Sequence, residues 1–370
     1  MQINFNDLKK QYLLLKEDID SSIFKVLEEG RYIQGPEVKQ LEKDLSKYTA
    51  TNALTVANGT DALFIALKAM GIKKGDEIIT PSFTWVSTVE TIKMVGATPV
   101  FADIDKSTFN IDENKLERLI TDKTRAILPV SLFGKCPNLN KIISIAKSYN
   151  ILTLEDAAQS FGAMHDGKLS CSICDISTTS FFPSKPLGCY GDGGAIFTNN
   201  EKLFDEISMI SKHGQKGRYN YLRVGVNSRL DTIQAAILQQ KLKVFEKEIV
   251  LRNNVAAKYY QILSNSDRIK CPIVPDEQNR SVWAQYTILL DKTICKKRNL
   301  IMDELAKKNI PSALYYPAAL HLQKPYYTKV ELPITEDITS RILSIPMHPY
   351  LNDEEIKYIT GNLLQIIENN

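Results

Sequence analysis

From about residue 37 to about residue 200, short apolar, β-branched runs alternate with segments whose apolar positions recur at i, i+3 and i+4. The first pattern predicts buried strands and the second amphipathic helices. "NALTVA" (52–57), "DEIITP" (76–81), "TPVFADI" (98–104), "RAILPVSL" (125–132) and "ILTLED" (151–156) predict strands. "EVKQLEKDLSKYT" (37–49), "NGTDALFIALKAMG" (58–71), "VSTVETIKMVG" (86–96), "NKLERLI" (114–120) and "LNKIISIAKSYN" (139–150) predict helices between them. Such alternation implies βαβ units and a mostly parallel sheet covered on both faces. After Asp175 the rhythm changes. "DISTTSFF" (175–182) and "GGAIFTN" (193–199) predict two close-set strands, followed by a helix at about 201–213 and a long helix over 228–263. The expected organisation is a large α/β domain over 1–250 and a smaller C-terminal α+β domain over 251–370.

Composition narrows the class. The 46 Lys and Arg nearly balance 43 Asp and Glu, so no one-sided charge argues for nucleic acid or an anionic membrane. "MQINFNDLKK" lacks the apolar stretch of a secretory leader, and no run of apolar residues is long enough to span a bilayer. These features predict a cytoplasmic globular protein. Of six cysteines, Cys171 and Cys174 form a C-x-x-C. Zinc would need two more ligands at similar spacing, and none follows. A thioredoxin-type pair would open a helix after a strand. The pair therefore reads as ordinary thiols in a loop. His165, His213, His321 and His348 have no metal-ligand spacing.

Three stretches could carry chemistry. In "ANGTDALFIAL" a strand end, a turn and a helix start expose free backbone N–H groups at a positive dipole end, which suits a phosphate at Asn58, Gly59 and Thr60. By itself this is also how an ordinary capped helix begins. In "LTLEDAAQS", Asp156 stands at the carboxyl end of a strand, either as a helix cap or in the crevice where open α/β sheets bind ligands. In "SFFPSKPLGCYGDGGAIFT", Lys185 lies between bulky aromatics and glycines. Tight packing there would strip solvent from its ammonium and lower its pKa, which favours Schiff-base chemistry. The glycines do not make a dinucleotide loop, because a strand rather than a helix follows them. A phosphate cup, a strand-end carboxylate and a partly buried lysine together match the needs of pyridoxal 5'-phosphate. Trp85 in "PSFTWVS" is a candidate to cover the ring.

The ordered set N-G-T-D-A-L, S-F-T-W-V-S, E-D-A-A-Q-S, S-F-F-P-S-K, G-D-G-G and N-S-R-L-D resembles the DegT family of nucleotide-sugar aminotransferases along essentially the whole chain. The resemblance implies the fold-type-I architecture of pyridoxal-phosphate transferases, with a seven-stranded-type sheet. It implies that Lys185 binds the cofactor and shuttles protons, passing through pyridoxamine phosphate. Asp156 would pair with the ring nitrogen, Gln159 would face the ring hydroxyl, and Gly59, Thr60 and Ser180 would hold the phosphate. Asn227 would reach that phosphate from the second subunit of a homodimer. Arg229 would meet a sugar carboxylate, with Tyr315 and Tyr316 also at the substrate. Tyr315 stands where related sequences carry a histidine; a phenol keeps a hydrogen-bond donor but brings no charge. The implied substrates are L-glutamate and a UDP-linked keto sugar, most specifically a 3-oxo uronate used for bacterial surface polysaccharide. A 4-keto or non-uronate 3-keto sugar is the alternative within enzymes, and a cofactor-bound regulatory protein the alternative outside them. A dehydratase is disfavoured because dehydratases of this type replace the lysine with histidine.

Overall fold

The computed structural model describes residues 1–370. Its large sheet contains β1 (Asn52–Val56), β2 (Glu77–Pro81), β3 (Thr98–Ala102), β4 (Thr124–Ile127) and β5 (Leu152–Asp156). A short hairpin of β6 (Met164–His165) and β7 (Lys168–Leu169) follows, then β8 (Ile176–Ser180) and β9 (Gly194–Thr198). The sheet order is β1-β9-β8-β5-β4-β2-β3. Only β9 runs against its neighbours, pairing antiparallel with both β1 and β8. The remaining pairs are parallel.

Helices cover both faces. α1 (Leu8–Leu14), α2 (Lys16–Glu29) and α3 (Pro36–Thr49) precede the sheet. α4 (Gly59–Ala69), α5 (Val86–Met94), α6 (Leu139–Ser148) and α7 (Glu201–Ile210) connect or follow its strands. α8 (Thr232–Leu263) is the long helix. One apolar layer joins α3, α6 and α8 to the sheet through residues such as Leu41, Ile142, Leu238 and Phe245. The other joins α4 and α7 through Leu63, Ile65 and Ile207. Because both faces are covered, strands such as β4 and β9 are buried along their inner length rather than alternating.

The C-terminal part holds α9 (Arg298–Lys307), α10 (Pro333–Arg341) and α11 (Asp353–Glu368). They pack with a three-stranded antiparallel sheet of β10 (Ile269–Lys270), β11 (Tyr286–Leu290) and β12 (Ile342–Ile345). Its core also takes in Val255, Tyr259 and Leu263 from the end of α8, and Ile3 from the start of the chain.

Four expected elements differ. Residues 114–120 form two 3-10 turns, Glu113–Lys115 and Glu117–Leu119, rather than a helix. The Asp112 side chain accepts from the Asn114 amide at 3.1 Å, and Leu116 is the one fully buried anchor. So short a segment with a competing local bond does not repay helix nucleation. The strand expected over 125–132 ends at Ile127, shortly before Pro129, which has no N–H to give the ladder. The helix after β9 stops at Ile210, and Gly214 at φ +74° then turns the chain. The long helix starts at Thr232 rather than 228, with Asp231 still extended at its N-terminus.

Candidate active site

The carboxyl ends of β1, β2, β5 and β8 open onto a cavity of about 580 Å3. That size suits a small molecule with a bound partner. Gly59, Thr60, Trp85, Asp156, Gln159, Ser180, Lys185, Tyr315 and Tyr316 all line it. Asn227 and Arg229 do not. Asn227 is exposed, and Arg229 half-buried, on the stretch between α7 and α8. Sequence reasoning thus converged on one cavity for nine of eleven residues and left two outside their own protomer's cavity.

The cup at the start of α4 follows from local chemistry. Asn58 is extended, and its Oδ1 accepts from the Asp61 amide at 2.7 Å. Its carbonyl accepts from the Ala62 amide. The Gly59 and Thr60 amides have no partner within the helix, as the first turn of any helix requires. Thr60 Oγ1 and Ser87 Oγ are 2.7 Å apart. Ser180 closes the other side: a Cβ placed on Gly59 would lie 2.8 Å from the Ser180 Cβ. Gly194 has an equally steric reason, since its Cβ would lie 2.6 Å from the Asn58 carbonyl group. The glycines after Lys185 let the chain pass against other backbone, Gly194 against Asn58 and Gly188 against the Pro183 carbonyl.

Asp156 ends β5 with 5% of its surface exposed. Oδ2 accepts from Thr88 Oγ1 at 2.7 Å and Oδ1 from the Ala158 amide at 3.2 Å. Thr88 is itself held by Thr84 at 2.9 Å. Burial pushes the Asp156 carboxyl above the usual range, while Thr88, Ala158 and the positive charge of Lys185 pull it back. Burial lowers the Lys185 ammonium, and Asp156 opposes the shift. Both line the cavity, and each charge opposes the other's burial shift.

Gln159 is locked rather than free. Its Oε1 accepts from the Phe133 amide at 2.7 Å and its Nε2 donates to the Tyr316 hydroxyl at 2.9 Å. Trp85 is 56% exposed at the mouth, with its ring 5.9 Å from that of Tyr316. Thr84, Ser87, Ser184, Asp192 and Gln285 also line the cavity without having been singled out in the sequence. Thr88, behind the lining in the first turn of α5, had a signal only in following Thr84 by four residues, with Thr84 just ahead of the helix. Gln285 had none. Its Oε1 is buried without a partner.

The donor set suits pyridoxal 5'-phosphate. Two free helix amides with serine and threonine hydroxyls fit a phosphate, a buried carboxylate lacking a second cation fits a ring N–H, and a partly desolvated amine fits an aldehyde. His321 belongs elsewhere: it is fully buried, with Nδ1 2.8 Å from Ser82 Oγ and Nε2 3.2 Å from Glu336. His348 is buried against Arg252, and burial lowers its imidazole to about 4. The C-x-x-C segment supports the carboxylate beside Asp156. Glu155, fully buried on the opposite face of β5, accepts from the Cys171 amide at 2.9 Å, Ser131 and Ser170 hydroxyls at 2.7 Å and Ser177 at 3.1 Å. No helix is long and apolar enough to cross a membrane.

Comparison with known proteins adds three findings. Residues 14–364 match the model of the DegT/DnrJ/EryC1/StrS aminotransferase family. A UDP-2-acetamido-2-deoxy-3-oxo-D-glucuronate aminotransferase of Pseudomonas aeruginosa is 48% identical over 98% of this chain and 99% of its own. A pleiotropic regulatory protein of Geobacillus stearothermophilus is 38% identical over 99% and 98%. Among solved structures, NtdA of Bacillus subtilis with bound cofactor PMP superposes with a TM-score of 0.92 at 31% identity, covering 99% of this chain and 85% of that one.

Proposed function

The chain belongs to the DegT/DnrJ/EryC1/StrS aminotransferase family, and on that premise we propose that it moves an amino group from L-glutamate to carbon 3 of UDP-2-acetamido-2-deoxy-3-oxo-glucuronate. The observation that carries this reading is the convergence of Lys185, Asp156, Gly59, Thr60 and Ser180 on one cavity. The high identity to the Pseudomonas aeruginosa uronate aminotransferase supports the choice of sugar. A place in bacterial surface polysaccharide synthesis follows from that sugar.

When bound, pyridoxal phosphate supplies an electron-withdrawing ring that carries the amino group between the two substrates. Lys185 anchors it through Nζ and, once displaced, takes and returns the proton at the reacting carbon. Burial lowers its ammonium below the usual lysine range and so eases loss of the proton, with Asp156 opposing. Asp156 holds a proton on the ring nitrogen, and Thr88 keeps the carboxylate aimed. The free amides of Gly59 and Thr60 with the Ser180 hydroxyl bind the phosphate. Gln159 fixes Tyr316 against the mouth, and Trp85 covers the ring.

We place Asn227 and Arg229 in the cavity of a second subunit. The exposed apolar side chains around them support a homodimer: Tyr219 is 71% and Val224 90% exposed. Arg229 then offers a planar guanidinium to the uronate carboxylate, with Tyr315 donating one further hydrogen bond. Six free thiols fit the reducing cytoplasm. A regulatory role has one observation behind it, the likeness to a pleiotropic regulatory protein. Turnover separates the readings. The purified protein with glutamate should aminate the 3-oxo uronate far faster than 4-keto or non-uronate 3-keto nucleotide sugars. Preference for one of those sugars would replace the substrate, and no turnover on any would favour the regulator.

A further inference from the structure

α8 carries a line of buried and half-buried polar residues that the proposed chemistry does not use. Gln234, Lys241 and Glu248 are spaced seven apart, which puts them on one face. Lys241 is 1% exposed and Glu248 4%. Neither forms an ion pair with the other. The Lys241 Nζ instead donates to the Gly188 carbonyl at 2.6 Å and lies 4.3 Å from the centre of the Tyr190 ring. Gln234 brackets the next turn of the same loop: its Oε1 accepts from the Tyr190 amide at 2.9 Å, and its Nε2 donates to the Tyr190 carbonyl at 3.3 Å. The Glu248 carboxylate is occupied by Gln11 at 2.9 and 3.0 Å and by the Tyr350 hydroxyl. The loop so fastened is the one that begins with Lys185. Lys185 also lines a second, water-sized cavity of about 20 Å3 behind the site, together with Gln11, Arg252, His348 and Tyr350.

We propose that Lys241 is a positioning residue for Lys185: its buried charge clamps the Gly188 carbonyl, fixes the loop there and sets a positive charge three residues along the chain from the reactive amine. The inference rests on the reading of Lys185 as the cofactor lysine. An ammonium held by a carbonyl and a ring face, with no ion pair, costs more than an apolar side chain of the same length. A methionine would fill the space but could not hold the carbonyl. The groups facing the ammonium are Glu248 on its own helix, and the Cys189 thiol and Tyr190 phenol on the loop; Tyr12 of α1 meets Tyr190 edge-on. Burial draws the ammonium down to about 8, with Glu248 opposing. The charge is therefore present at neutral pH and is lost as pH rises through that value.

The test uses the holoenzyme and Lys241→Met, Lys241→Arg and Gln234→Leu. Three readouts apply: hydrogen exchange of residues 181–193, the pH titration of the bound cofactor's visible band, and kcat and KM. Lys241→Met should raise exchange in that loop without raising it in β2. It should also shift the spectral transition to higher pH, since removing a nearby positive charge favours the protonated linkage. kcat should fall by about tenfold, the worth of one charge-assisted hydrogen bond, with KM little changed. Lys241→Arg should restore the titration. Gln234→Leu, which keeps the charge, should loosen the loop and leave the titration in place. Wild-type exchange and titration in Lys241→Met overturn the inference. So does a Lys241→Met protein that fails to fold while Lys241→Arg folds with a shifted titration, because the charge then serves stability alone. The reading of Lys185 fails separately, if borohydride fixes cofactor mass to Lys185→Ala.

Discussion

Two stretches that the proposed site combines, 180–193 and 215–229, are built in opposite ways. The first is pinned inside its own protomer. Phe181 and Cys189 are buried, the Phe181 amide donates to Gly193 and the Cys189 amide to Phe181, both at 2.8 Å. The second is held at its base. Arg223 makes a two-pronged pair with Glu206 at 2.9 Å, and single bridges join Gln215 to Tyr221 and Lys212 to Asn227. Between those ties it presents Tyr219, Tyr221, Leu222 and Val224 to solvent. A reacting group has to be preorganised before substrate arrives, so its loop draws order from the core. On the proposed homodimer, the second stretch would find its packing on the neighbour, which accounts for the apolar side chains it exposes in one copy.

The comparison breaks most sharply at Lys185. Lys185→Ala should abolish turnover by at least about a thousandfold, measured by coupled assay, and should leave no cofactor mass on the chain after borohydride. Asp156→Asn comes next, with a loss of about a hundredfold or more, since a neutral amide no longer favours the charged ring nitrogen. Steady-state kcat checks it. The third experiment tests which protomer owns the second stretch. Lys185→Ala and Arg229→Met, each nearly inactive on the uronate, should recover on the order of a quarter of wild-type activity when mixed and allowed to exchange subunits, because half the dimers are hybrids with one intact site. No recovery would place Arg229 in its own protomer's site. The smallest effect is expected from Thr88→Val. Losing the 2.7 Å bond raises the Asp156 carboxyl further. The acid limb of the kcat–pH profile should then move to higher pH, with a few-fold loss at its optimum.

Much of this was readable from sequence where one signal dominated. The apolar rhythm located β1 to β5, β8 and β9, because strands buried on both faces read as continuous apolar runs. Lys185, Asp156 and the Gly59 cup were legible as motifs tied to strand ends and a helix start. What escaped depends on contacts across the chain. The β6–β7 hairpin had a local cue in Asp166-Gly167, both at positive φ, yet its strands are too short to show a pattern. Gln285 reaches the cavity, and Thr88 reaches Asp156, only through folding. Glu155 lay one residue from Asp156 and went unremarked. The alternation of a strand sends the two carboxylates to opposite faces, and only one of those faces is the cavity. The C-x-x-C segment meets Glu155 through the Cys171 backbone amide, and its two thiols stay free.

The sheet order also sets a timetable for synthesis. β1 lies at the sheet edge, with β9 as its sole strand neighbour. A nascent chain emerging from the ribosome therefore carries the Gly59 cup for well over a hundred residues before Ser180 and β9 arrive to wall it in. Ile3 waits longer still, since it packs among residues that reach Ile367. Residues this early are among the last to find their place, and a ribosome-bound fragment ending before β9 has no finished pocket in which to capture cofactor.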